Sequence, residues 1–113
     1  MTLTITRIDP REKLVLLALR GVLDYASAPE VRAAISVAAA RRPAPERIVV
    51  DLSGVDDVDD TGVATLVIGN RLCRQIGIDF AVGRPAPLVR RLLGMNGAAN
   101  DPRKVGVVKV GSR

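Results

Sequence analysis

The sequence contains no histidine and no tryptophan, and Tyr25 and Phe80 are its whole aromatic content. Without imidazole it can build no Ser-His-Asp triad, no Cys-His pair and no histidine-liganded zinc. A single cysteine, Cys73, excludes an internal disulfide framework and any Cys-x-x-Cys metal or redox motif. No apolar run reaches the roughly 18 residues that span a bilayer, and Met1-Thr2-Leu3-Thr4 lacks the basic and apolar regions of an export signal. The expectation is a cytoplasmic chain that does not insert into a membrane, binds no cofactor or metal, and is not an enzyme.

With so few aromatics the core must be aliphatic, and 48% of the 113 residues are hydrophobic. At this length folding removes roughly two-thirds of the unfolded surface from water, enough for one core without staples. Residues 1–113 therefore read as a single domain, with the core over about 3–97 and a basic C-terminal tail or edge strand over 98–113. The net charge of +5 is unevenly placed. Arg84, Arg90, Arg91, Arg103, Lys104, Lys109 and Arg113 crowd the last third, while Asp51, Asp56, Asp57, Asp59 and Asp60 fall within ten residues. Nucleic-acid binding calls for a contiguous basic face, and single strands usually add aromatic platforms. This charge order points to a protein partner instead.

Thr2 to Ile8 alternates polar and apolar residues, as a half-exposed strand does, and Asp9-Pro10-Arg11-Glu12 supplies turn chemistry after it. Leu14 to Leu19 is a near-continuous aliphatic run, the mark of a strand covered on both faces, which Gly21-Val22-Leu23-Asp24 ends. Ser27 followed by Glu30 forms a capping-box pattern. Val31, Ala34, Ile35 and Ala38 then carry a helix to about Arg41, where Pro43 and Pro45 stop it. Arg47 to Leu52 reads as a buried strand followed by a turn at Ser53-Gly54. A helix spans about Asp60 to Gln75, with Val63, Leu66, Val67 and Cys73 on its apolar face, Ala64, Ile68 and Leu72 widening that face, and Gly77 at its C-terminal end. Ile78 to Val82 predicts a strand, Ala86 to Met95 a helix with Leu88, Val89, Leu92 and Leu93, and Lys104 to Val110 an edge strand. The order β-β-α-β-α-β-α-β gives an α/β fold: a mixed, mostly parallel sheet whose opening strand is antiparallel, with helices packed against it. Ligands and partners of such sheets gather at the loops after the parallel strands, where the acidic stretch lies.

That stretch, Asp51 to Gly62, suits few chemistries. Asp57, Asp59, Thr61 and Gly62 imitate positions 1, 3, 5 and 6 of a calcium loop, but the twelfth position is Ile68 and a strand precedes it. A phosphoryl-transfer magnesium site would need a phosphate-cradling glycine loop or a nearby lysine, and sugar chemistry would need an aromatic platform. A helix N-terminus fits better. Asp59 or Asp60 satisfies unpaired backbone N–H groups, Thr61 displays a hydroxyl, and Gly62 lets another surface approach the backbone.

Gly21-Val22-Leu23-Asp24, Asp51-Leu52-Ser53-Gly54-Val55 and Val58-Asp59-Asp60-Thr61-Gly62-Val63-Ala64-Thr65-Leu66 together resemble the STAS domain, and within it the bacterial anti-sigma factor antagonists. The likeness extends from about Leu3 to Gly97 and includes the aliphatic last helix, Leu88 to Leu93. It implies a STAS fold and a protein-binding switch in sigma-factor regulation. In that family the helix opens with Asp-Ser-Ser/Thr-Gly, and its first serine is phosphorylated by a GHKL-type partner that is both anti-sigma factor and serine kinase. The unphosphorylated antagonist binds that kinase and frees the sigma factor. Here Asp59, Thr61 and Gly62 match the motif, and Asp60 stands at the phosphoacceptor position. The implied partner-binding residues are Asp24, Asp56, Asp59, Asp60, Thr61 and Gly62. An aspartate accepts no stable phosphate ester and carries about −1, against roughly −1.5 to −2 for phosphoserine. Either Asp60 partly mimics the phosphorylated state, or control has moved to Thr61, turned about 100° around the helix. A STAS accessory subunit of a membrane transporter, with no phosphoswitch, is the alternative role.

Overall fold

The computed structural model describes residues 3–92 and 106–108. Eight elements follow in order: β1 (Leu3–Arg11), β2 (Leu14–Leu23), α1 (Ala28–Ala39), β3 (Arg47–Val58), α2 (Asp60–Gln75), β4 (Asp79–Gly83), α3 (Pro87–Leu92) and β5 (Gly106–Val108). The five strands form one sheet in the order β1-β2-β3-β4-β5, with β1 antiparallel to β2 and every other pair parallel. This is the architecture expected from the order of elements. The continuation of α3 to Met95 and of the last strand from Lys104 and to Val110 lies outside the described residues, as does most of the basic stretch 98–113.

Period-two alternation builds the core. Val15, Leu17, Leu19 and Leu23 of β2, Ile48, Val50 and Leu52 of β3, and Phe80 and Val82 of β4 turn to one face. Val31, Ile35 and Ala38 of α1 meet them there, with Leu66 and Cys73 of α2. The two helices approach closely because Gly69 has no side chain. A Cβ there would stand 2.9 Å from Ile35 Cδ1 and 3.5 Å from the Phe80 ring. On the opposite sheet face Leu14, Leu16, Ala18 and Val22 are half-buried, while Val49 and Ala81 are buried. The aliphatic run of β2 thus serves two faces of unequal burial.

Several local expectations change. β1 runs through Asp9-Pro10 to Arg11, because a register irregularity between Ile8 and Arg11 accommodates the proline on an edge strand. β2 does not end at Gly21 but continues to Leu23. Gly21 takes φ 118°, a conformation open to glycine alone at little cost, and stays paired with Leu3 and Val55. No capping box forms at α1: Ser27 Oγ makes no capping hydrogen bond and instead donates to the Val22 carbonyl at 2.8 Å. Ala64, Ile68 and Leu72 do not widen the buried face of α2 but are exposed; Gly62, Thr65, Gly69 and Asn70 are buried in their place. α2 itself has the expected bounds. It ends in a Schellman turn, with Gly77 at φ 79°, Ile78 N–H donating to the Cys73 carbonyl (2.8 Å) and Gly77 N–H to the Arg74 carbonyl (3.2 Å).

The largest change concerns the acidic stretch. It is not a loop: β3 continues through Ser53-Gly54 to Val58, paired with β2 all the way. Between Ala18↔Asp51 and Arg20↔Gly54, and again between Gly21↔Val55 and Val22↔Asp57, β3 carries one residue more than β2. Two bulges therefore absorb the polar residues and bend the strand end. Gly54 is required at the first. A Cβ there would lie 2.8 Å from the Leu19 carbonyl oxygen.

Candidate functional site

Because β2 and β3 are parallel and end side by side at Leu23↔Val58, the residues after each strand emerge together. The β2–α1 turn (Asp24 to Ser27) and the start of α2 (Asp59 to Gly62) form one surface. Asp59 joins them. Its N–H donates to the Leu23 carbonyl at 3.2 Å. Its Oδ2 accepts from the Tyr25 N–H at 3.1 Å, and its Oδ1 caps α2 by accepting from the Gly62 N–H at 2.8 Å. Both carboxylate oxygens are thus engaged within the chain, one on each side of the junction.

Asp24 is similarly engaged. Its Oδ1 accepts from the N–H groups of Ala26 and Ser27, both at 3.1 Å, and from Ser27 Oγ at 3.3 Å. Ser27 Oγ in turn accepts from the Asp24 N–H at 3.0 Å. This closed turn sets the entry of α1. Gly62 is buried, and a Cβ on it would stand 2.5 Å from the Leu23 carbonyl oxygen and 2.7 Å from Val58 Cγ2. Its glycine identity serves packing of the α2 start against β2 rather than the approach of an outside surface, which corrects the sequence-based reading.

The six expected site residues therefore divide. Asp24, Asp59 and Gly62 form the frame. Asp56, Asp60 and Thr61 are exposed. Asp56 sits in the second bulge of β3, between Val55 and Asp57. Asp60 and Thr61 occupy the first turn of α2, where the positive end of the helix dipole favours carboxylates. Asp57 lies in the strand opposite Val22, so the calcium-loop register is not realised. Among the described residues no group of three or more Cys, Asp or Glu is placed to hold a metal ion.

Tyr25, which the sequence patterns do not single out, stands on the same surface. Its backbone is held by Asp59 while its side chain is 75% exposed, the most exposed large hydrophobic among the described residues. Its position directly after the Gly-Val-Leu-Asp segment, as one of two aromatics, was the available signal. Beneath the site Asp51 is buried and pairs with Arg84 (Oδ2 to Nη2, 3.0 Å) while its Oδ1 accepts from the Ser53 N–H at 2.9 Å, steadying the strand ends. A cleft of about 520 Å³ lined by Arg11, Glu12, Lys13, Leu14, Glu46 and Arg47 lies at the opposite end of the parallel strands. The candidate site is the surface around the α2 start, formed by the exposed Tyr25, Asp60 and Thr61. Among the described residues no helix is long and apolar enough to cross a membrane.

A family model described as Mlab, STAS domain, matches residues 7–108. A solved structure of the anti-sigma factor antagonist SpoIIAA in its unphosphorylated form is similar with TM-score 0.72 and 18% identity, covering 96% of this chain and 90% of that one. An anti-sigma factor antagonist from Mycobacterium paratuberculosis gives TM-score 0.65 and 24% identity over 85% of this chain and 79% of that one. A sulfate transporter family protein from Wolinella succinogenes gives TM-score 0.68 and 15% identity over 88% and 80%. Curated proteins yield no match.

Proposed function

Since the chain belongs to the STAS domain family, we propose that it is a cytoplasmic, non-enzymatic binding module of the anti-sigma factor antagonist kind, which engages an anti-sigma factor with serine-kinase character through the start of α2. The observation that carries this reading is the exposed pair Asp60 and Thr61 on a frame of Asp24, Asp59 and Gly62, where the sequence resemblance to the antagonists implies their phosphoacceptor. A partner that senses charge there meets a permanent carboxylate. Asp60 thus acts as a built-in partial mimic of the phosphorylated state and lowers affinity for the kinase.

Asp60→Ser tests this. The residue is exposed at the first helical position, and Asp59 supplies the cap, so folding changes by about 1 kcal/mol or less. Calorimetry against a candidate GHKL-type kinase should show tighter binding by the variant, and mass spectrometry after incubation with ATP should find phosphate on the introduced serine. Equal affinity of both forms rejects the mimic. Phosphate on Thr61 of the unaltered chain assigns control to that hydroxyl instead. The similarity to a sulfate transporter family protein supports a second role, an accessory subunit without a phosphoswitch. Binding to a transporter component, with none to a kinase, would select it.

A further inference from the structure

The exposed face of α2 carries a second feature beyond its first turn. Ala64, Ile68, Leu72 and Ile76 follow one another at intervals of four, so they form a single row along the helix. Ile68 is 49% exposed, Leu72 40% and Ile76 57%, which makes half of the six exposed large hydrophobics among the described residues. The core does not use them, since α2 packs inward through Gly62, Thr65, Leu66, Gly69, Asn70 and Cys73.

Charges flank this row in a fixed order. At 100° per residue Asp60 and Arg71 fall on the same side of Ile68, about 80° and 60° around the helix, with the carboxylate at the N-terminal end and the guanidinium toward the C-terminal end; Arg74 lies about 120° away, and its Nε donates to Asn70 Oδ1 at 2.9 Å on the inward side. Among the described residues neither Asp60 nor Arg71 takes part in a salt bridge. When two helices pack antiparallel about a two-fold axis, each flank meets its own counterpart on the other copy. For a dyad beside Ile68, Asp60 stands about 12 Å along the axis on one side, and Arg71 of the other copy stands about 4.5 Å along the same direction. An arginine side chain spans that difference, and interaxial separations of about 8–10 Å let the aliphatic row interlock. Parallel packing about a two-fold axis would instead set this flank against the opposite flank of the other copy, where Asp60 does not meet Arg71.

We propose that the exposed row of α2 is a self-association surface, on which a second copy of this chain docks antiparallel with Ile68 and Leu72 at the centre and Asp60 of each copy paired with Arg71 of the other. Such an interface is isologous, the form that closes as a dimer. It covers Asp60 and Thr61, so self-association and binding of another protein at the α2 start exclude each other. The pairing rests on the row and its charge order alone, and stands whether or not the partner is an anti-sigma factor.

Sedimentation velocity of the purified full chain over a range of concentrations tests it. The unaltered chain should shift from monomer to dimer with concentration. Asp60→Lys and Arg71→Glu should each weaken the dimer by about tenfold or more, because each sets like charges across the dyad, and the double variant should recover most of the loss. Leu72→Asp should abolish the dimer, while Val37→Asp, at an exposed apolar position on α1 outside the row, should leave it intact. Circular dichroism confirms that each variant is folded. A chain still monomeric at about 1 mM, a dimer indifferent to both single charge reversals, a double variant no better than the singles, or a dimer lost in Val37→Asp but kept in Leu72→Asp would each overturn the proposal.

Discussion

Gly62→Ala adds one methyl group at the point where α2 leaves β3. The new Cβ would meet the Leu23 carbonyl oxygen at 2.5 Å, Val58 Cγ2 at 2.7 Å and Leu23 Cγ at 2.9 Å, all shorter than the 3.0 Å that real Cβ atoms respect. The carbonyl cannot swing aside freely, since it also accepts from the Asp59 N–H. The start of α2 must therefore withdraw by at least about half an ångström, which loosens the Asp59 contacts with Gly62 and Tyr25. Overpacking of this kind costs about 1–3 kcal/mol. The better helix propensity of alanine returns up to about 1 kcal/mol, and strained capping adds to the loss, so a net destabilisation of about 2 kcal/mol is expected. In a chain of this size that lowers Tm by roughly 8 °C. Gly69→Ala is the internal control. Its nearest neighbour is Ile35 Cδ1 at 2.9 Å, the movable end of a side chain, and the cost should nearly cancel the propensity gain. Thermal and urea melts followed by circular dichroism measure both. A Gly62→Ala chain as stable as the unaltered one, or Gly69→Ala as damaging as Gly62→Ala, would refute the argument that backbone contact rather than general crowding requires glycine at the site.

Asp59→Ala should lower stability by about 1–2 kcal/mol in denaturant melts, since it removes both the α2 cap and the hydrogen bond that holds the Tyr25 backbone. Leu66→Ala, at a fully buried position, should cost about 2–5 kcal/mol by the same measurement, and a near-neutral result would mean that α2 packs through another face. Burial pushes the Cys73 thiol from 9.0 up to about 11. Over that pH window the unfolded thiol ionises while the folded one keeps its proton, so this group's stabilising contribution, fully present below pH 9, is lost as pH rises toward 11. Urea melts at several pH values should show a shallower decline in Cys73→Ala than in the unaltered chain.

The order of elements, the bounds of α2 and the composition of the core were legible in the sequence because each rests on local pattern. Period-two alternation marks β2 and β3, helical spacing with Asp59 before it and Gly77 after it marks α2, and the scarcity of aromatics requires an aliphatic interior. The acidic stretch reads as a loop for a related reason. Ser53-Gly54 and a run of aspartates look like turn chemistry, and only pairing with β2 shows that two bulges carry them within a strand. Tertiary packing also decided which expected site residues are frame and which are face. Asp24 and Asp59 are both aspartates near strand ends, yet Asp24 Oδ1 is held by the Ala26 and Ser27 N–H groups of its own turn, while Asp59 Oδ2 takes the Tyr25 N–H that the parallel alignment of Leu23 with Val58 brings within reach. The same alignment makes Gly62 a packing residue. Exposure of Ile68 and Leu72 was equally invisible to spacing, because one helical period describes both flanks of a stripe; Gly69 and Asn70, neither strongly apolar, turn inward instead, Gly69 where a Cβ would stand 2.9 Å from Ile35 Cδ1. A sequence encodes periodicity and local chemistry directly, whereas the partner of each polar group depends on which distant segments the sheet sets side by side.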